Sequence, residues 1–143
     1  MRLVQGNRIP FVECGSDVPV VKFTLDDGTV GYGVVDTGSE STVFDKDFVK
    51  ANKQSFNVEI TSNKMGVVGV SDKMDVPIVK VCGPLCFKDV RYTVNAVMMP
   101  LTHLTSHFEN IGVKLTISAL FGSDMLKYLN ADIDFKKKMV VFK

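Results

Sequence analysis

The sequence predicts a mainly β domain, a barrel or a sandwich, with one or two short helices. Three observations lead there. Short runs of apolar and β-branched residues recur along the chain, bounded by Gly, Pro, Asn and Asp. Only two segments, after Asp45 and after Gly122, join a capping residue to helix formers. No strand–helix–strand alternation, no repeat of about 20–50 residues and no low-complexity stretch interrupts the pattern.

The chain begins with polar residues 1–10, an N-terminal arm ending in Ile9-Pro10; Pro10 suits an edge or a strand start. Residues 11–14 read as a short strand and 15–17 as a turn. Residues 18–25 form a good strand. Asp26-Asp27-Gly28-Thr29 is a strong hairpin signal, and residues 30–35 return as its partner. Residues 41–44 make another short strand. Asp45 then caps a helix over 46–51. Residues 56–60 alternate as a strand, 61–72 read as a glycine-bearing loop, and 74–81 resume a strand. Gly83-Pro84 is expected to turn the chain, with 87–97 as the next strand. Residues 98–112 carry the least pattern and read as surface loop. An apolar strand lies within 113–121. Ser123 is expected to cap a helix over 124–129, with Asp124 in its first turn where the helix dipole favours an acid. Residues 131–135 and 139–142 are two strands joined by Lys136-Lys137-Lys138, a solvated turn.

The length of 143 residues fits one domain, 1–143. Basic and acidic residues balance at 17 and 16, so nothing calls for nucleic acid or an anionic membrane. No apolar run approaches the roughly 18 residues of a membrane span. The first residues lack the apolar stretch of a signal peptide, which favours a cytoplasmic location. Cys82 and Cys86 read as two thiols flanking a turn, since no second pair completes a zinc site. His103 and His107 lack the glutamate a metalloprotease helix needs. No metal and no cofactor is expected.

The stretch that asks for a function is Val34-Val35-Asp36-Thr37-Gly38-Ser39. An apolar strand delivers one carboxylate, Asp36, to a turn. A carboxylate there is costly unless it is hydrogen-bonded and has a task. Gly38 lets backbone N–H groups approach it, and Thr37 and Ser39 add hydroxyls. Two uses of such a turn compete, the phosphate hairpin of actin-like ATPases and the loop of aspartic proteases. The first needs two large α/β lobes, which this chain is too short and too β-rich to supply.

The wider context resembles the retropepsin-like aspartic proteases, the single-lobed group of the retroviral proteases and the protease domains of Ddi1-type proteins. Val34 to Ser39 matches the active-site loop. Thr42, Val43 and Phe44 follow at the family's spacing. Leu120, Phe121 and Gly122 match the second signature, followed by Asp124-Met125-Leu126. Residues 131–137 look like the Ddi1-type ending. The resemblance implies a single-lobed closed β-barrel and an aspartic endopeptidase. Asp36 would be the catalytic residue, with Thr37, Gly38 and Ser39 supporting the loop. Gly66, Val67, Val68, Gly69 and Val70 fall where the family carries its substrate-covering flap. The chain has one such loop, and neither Asp124 nor Asp132 has the same setting. The second carboxylate must come from a second copy, so a homodimer acting on a polypeptide substrate is expected. The alternative is a non-catalytic dimerisation or peptide-binding module of the same fold.

The pattern also departs from the retroviral one. Ser39 replaces alanine, and its hydroxyl is expected to donate to the ionised aspartate and favour an acidic optimum. Glu40, a candidate substrate contact, replaces aspartate, and Ser123 replaces the arginine that would pair with it. The apolar strand 139–142 would leave a sticky edge at a dimer interface, with the N-terminal arm as the other candidate.

Overall fold

The computed structural model describes residues 6–65 and 76–143. Its strands are β1 (Asn7–Pro10), β2 (Val20–Thr24), β3 (Val30–Val35), β4 (Val43–Asp45), β5 (Asn57–Met65), β6 (Val76–Phe87), β7 (Val90–Met99), β8 (Ala119–Phe121), β9 (Asp132–Asp134) and β10 (Met139–Phe142). The helices are α1 (Lys46–Ala51), α2 (Thr102–Asn110) and α3 (Ser123–Tyr128), with one 3-10 turn at Lys53–Ser55.

Six strands close a mixed barrel in the order β2-β3-β8-β4-β7-β6, and pairing of Thr24 with Cys86 shuts the ring. β5 extends β6 on the outside. β3 with β8 and β4 with β7 run parallel, and the other pairs are antiparallel. A second, antiparallel sheet has the order β1-β10-β9.

The β2–β3 hairpin forms as its sequence requires. Gly28 takes a φ of +88°, and the Asp27 carboxylate accepts from the Thr29 N–H at 2.9 Å. Side chains on β3 then alternate between two cores. Val35 joins the larger cluster with Phe23, Phe44, Phe87 and Phe121. Val34 joins the smaller one, where Phe108 of α2 packs with Val20, Leu101, Val113 and Ile117. Phe121 packs against the rings of Phe23 and Phe87, at centroid distances of 5.8 and 5.6 Å. It fits only because Gly33 has no side chain, since a Cβ there would lie 2.1 Å from the ring. The glycine spacing of β3 is therefore a packing requirement.

Several local expectations are corrected. The first strand is 7–10 rather than 11–14; Phe11 and Val12 instead donate to the carbonyls of Lys138 and Val20. β5 runs on to Met65, into the expected loop. Gly83 and Pro84 lie within β6, and the chain reverses at Lys88, whose φ is +55°. Gly83 is needed there because Phe56 lies against it. Pro84, with no N–H to give, falls between the last β5 pairing at Cys82 and the β2 pairing at Cys86. Cys82 and Cys86 are thus free thiols along one strand rather than flanking a turn. The expected strand in 113–121 is confined to Ala119–Phe121.

Helix α2 occupies the segment read as loop. Its start has no capping side chain of its own. The capping role comes from afar: the buried Asp45 accepts from the Leu101 N–H at 2.8 Å while capping α1 through the Phe48 N–H at 3.2 Å. Its residues bury only Phe108, so the apolar period was faint. Ser123 is the first residue of α3, not its cap; Gly122 holds that position. Strand β10 is no open edge, because β1 and β9 flank it and Val140 and Phe142 are buried.

Candidate active site

Strand β3 ends at Val35, and Asp36 follows at the turn. The Asp36 N–H donates to the Phe121 carbonyl at 3.0 Å, continuing the parallel β3–β8 ladder by one step. The Gly38 N–H donates to Asp36 Oδ1 at 3.0 Å, and the Ser39 N–H to the Asp36 carbonyl at 3.2 Å. Gly38 does not use a left-handed φ. A Cβ there would stand 3.3 Å from Asp36 Oδ1, so glycine provides close approach to the carboxylate. Asp36 is half-exposed, while Thr37 and Gly38 are exposed. Among the described residues, the Thr37 hydroxyl has no hydrogen-bond partner.

The second signature locks this loop from behind. The Ser123 N–H donates to the Ser39 carbonyl at 2.7 Å. Gly122 permits that approach, because a Cβ on it would fall 2.6 Å from the Ser41 carbonyl. The Gly122 N–H donates to the hydroxyl of Thr42 at 3.1 Å, and Thr42 Oγ1 donates to Asp124 Oδ1 at 2.7 Å. Asp124 also accepts from the N–H groups of Thr42, at 3.2 Å, and Met125, at 2.7 Å. Thr42 and Asp124 are positioning residues, a task that their places in the sequence motifs do not by themselves assign. The signal was present in the threonine's spacing from Asp36 and the acid after Gly122. What pairs them is the crossing of β4 against β8, visible only in three dimensions.

The structure brings Asp36, Gly38, Ser39 and Phe121 into one hydrogen-bonded unit, with Thr37 inside the turn and Gly122 bonded to Thr42 beside it. Leu120 pairs across to Val34 on one side and Val43 on the other. Leu120 and Val43 are half-buried and form an apolar row across β8 and β4 that packs against the smaller core cluster. Ser39 differs from expectation. Its hydroxyl donates to the Ser41 carbonyl at 2.9 Å, not to the aspartate. Glu40 is exposed beside it. The expected flap, 66–70, lies outside the described residues; its arms β5 and β6 are paired as far as Met65 with Val76. His103 and His107 are exposed on α2. Among the described residues no cluster of three or more metal-ligating side chains forms. An open hollow of about 780 Å³ borders Thr37 and is lined by Ser123, Leu126, Asn130, Asp132 and Ile133 among others.

No protein-family model and no curated protein sequence matches this chain. Solved structures do. The retroviral protease-like domain of Ddi1 from Leishmania major superposes with a TM-score of 0.56 at 12% identity, over 90% of this chain and 95% of that one. A retropepsin-like aspartic protease from Rickettsia conorii gives 0.55 at 12% identity, over 94% and 88%. EIAV protease, complexed with the inhibitor HBY-793, gives 0.54 at 14% identity, over 85% and 96%. With its closed mixed barrel and few short helices, the chain has the retropepsin-like fold of the retroviral-type aspartic proteases.

Proposed function

We propose that the chain is a homodimeric aspartic endopeptidase that hydrolyses peptide bonds in an extended polypeptide. The observation that carries this reading is Asp36 itself: a carboxylate at a strand end, held by the Gly38 N–H and locked to the second signature, yet open to solvent. A structural carboxylate would be enclosed by its bonds, as Asp45 is.

The chemistry follows from charge. Two Asp36 carboxylates brought into contact across a two-fold axis cannot both ionise cheaply, so the pair holds one proton. The ionised member removes a proton from water as general base. The protonated member donates to the substrate carbonyl and stabilises the oxyanion that forms. The titration belongs to the pair. Thr37, exposed and with no hydroxyl partner among the described residues, would reach the loop of the other copy. Substrate would lie as an added strand beneath the β5–β6 hairpin with the proposed flap at Gly66 to Val70.

The test compares wild type with Asp36→Asn on a mixed peptide library between about pH 3 and 7, a range that spans carboxylate-pair titration. Cleavage by the wild type alone is expected. No cleavage by either, from a protein that dimerises, would favour a non-catalytic dimerisation or peptide-binding module.

A further inference from the structure

The outer edge of β9 carries an inference about the second copy, and it rests on the dimeric reading above. Among the described residues β9 pairs only with β10, so its other edge presents unpaired backbone. That edge sits at the right place, since Asp132 and Ile133 line the same hollow as Thr37 of the active-site loop. A site with one carboxylate per chain is incomplete without another copy, and a copy that faces Thr37 also faces β9. Phe135, which follows β9, meets the Phe11 ring edge to face and is still 64% exposed.

We infer that a second copy docks along β9, and that the strand's two aspartates make this docking favoured by acid. Symmetry decides the point for every register whose axis passes within β9. Two copies of one strand pair antiparallel about an axis perpendicular to the sheet. Opposed residues share a face, so the axis must pass through a residue position. β9 offers three. An axis at Asp132 sets Asp132 against its twin. An axis at Asp134 sets Asp134 against its twin. An axis at Ile133 sets Asp132 against Asp134 twice. Carboxylate meets carboxylate in every case, and like charges directly opposed destabilise a strand pair.

The nearby charges offset this only in part. Asp132 forms an ion pair with Lys143. Asp134 accepts the Lys137 N–H at 2.9 Å as a turn bond. On the rows running across the sheet, Asp132 is opposed by Val141 and then Arg8, and Asp134 by Met139 and then Pro10. Lys127 lies across the hollow. Lys143 can serve one carboxylate of each chain, and among the described residues the other has no cation paired to it. Protonation therefore favours the dimer. The dimer binds more protons than two monomers, and its Kd falls as pH falls, by at most about tenfold per pH unit for each proton taken up.

The catalytic pair contributes a similar linkage, so the test removes it. Sedimentation equilibrium of Asp36→Asn, with and without Asp132→Asn and Asp134→Asn together, is run between about pH 4.5 and 7.5, where carboxylates near one another titrate. Circular dichroism confirms the fold at each pH. The expected result is a Kd that falls with pH in Asp36→Asn. In the triple variant the profile flattens and the dimer is tighter at neutral pH. An undiminished slope in the triple variant overturns the β9 inference alone. A wild type that stays monomeric at every pH overturns the dimeric reading and this inference with it.

Discussion

Removing one hydroxyl behind the active-site loop should cost the protein a large part of its stability. Thr42 is fully buried, and its Oγ1 accepts from the Gly122 N–H while donating to Asp124. Thr42→Val keeps the shape and deletes both bonds. Gly122, itself buried, is left with an N–H and no acceptor, a penalty of about 1–3 kcal/mol. Asp124 loses a charge-assisted bond worth a similar amount. The two losses share one hydroxyl and do not simply add, so about 2–4 kcal/mol is expected. For a chain of this size that lowers Tm by roughly 6–12 °C. Thermal and urea unfolding at fixed protein concentration measures it, because a dimer's Tm depends on concentration. Asp124→Ala and the double variant complete a cycle, with a coupling between the two sites of about 1–3 kcal/mol. A Thr42→Val loss below about 0.5 kcal/mol, or a coupling of zero, would refute the view that this bond chain holds the loop.

Gly33→Ala should destabilise by about 1–3 kcal/mol through overpacking, since its Cβ would meet the Phe121 ring at 2.1 Å. Trimming the ring with Phe121→Leu in the same chain should recover part of that loss in urea unfolding. Ser39→Ala should leave the acid limb of the pH–rate profile where it was, because the hydroxyl bonds the Ser41 carbonyl; a shifted limb would show that it reaches Asp36 during catalysis. Asp26, held below the usual carboxylate range mainly by its hydrogen bond from Arg91, ties the β2–β3 turn to β7. A depressed carboxylate contributes stability above its unfolded value and loses it as pH falls through the folded one. The small Tm difference between wild type and Asp26→Asn should therefore be present at neutral pH and shrink as pH falls beneath the ordinary aspartate value.

The barrel was legible where the chain's local chemistry and its tertiary environment agree. Asp27 and Gly28 specify their hairpin by themselves, and Asp45 caps α1 with its own side chain. The misreadings fall where a distant residue supplies what the local sequence lacks. Leu101 starts α2 without a cap because Asp45, 56 residues away, accepts its N–H. Gly83 and Pro84 look like a turn, yet β6 carries them through because Phe56 occupies the space a side chain would need. The same holds for the site. The Asp36 loop and Gly122 were visible as motifs, whereas the Thr42–Asp124 bond joins positions 82 residues apart. The open edge was misplaced for a related reason: the apolar run 139–142 reads as sticky, but it is the central strand, and the less apolar β9 is left outside.

That reversal changes what a dimer would require. An apolar edge would associate at any pH and would be as ready to aggregate as to pair correctly. An edge carrying Asp132 and Asp134 resists association while its carboxylates are charged. The proposed chemistry also needs a proton held between two carboxylates. Assembly and catalysis would then respond to pH in the same direction. The acid that loads a proton onto the Asp36 pair would also ease the contact that creates the pair. Such a chain would be held apart at neutral pH by its own edge, with each Asp36 alone in its loop and each Thr37 facing water. On this view the neutral-pH limb of activity depends on protein concentration, because it reports dissociation as well as titration. Specific activity measured near neutrality should rise with enzyme concentration, and at acidic pH it should not. A concentration dependence equal at both pH values would remove assembly from the explanation and leave the Asp36 pair alone to set the profile.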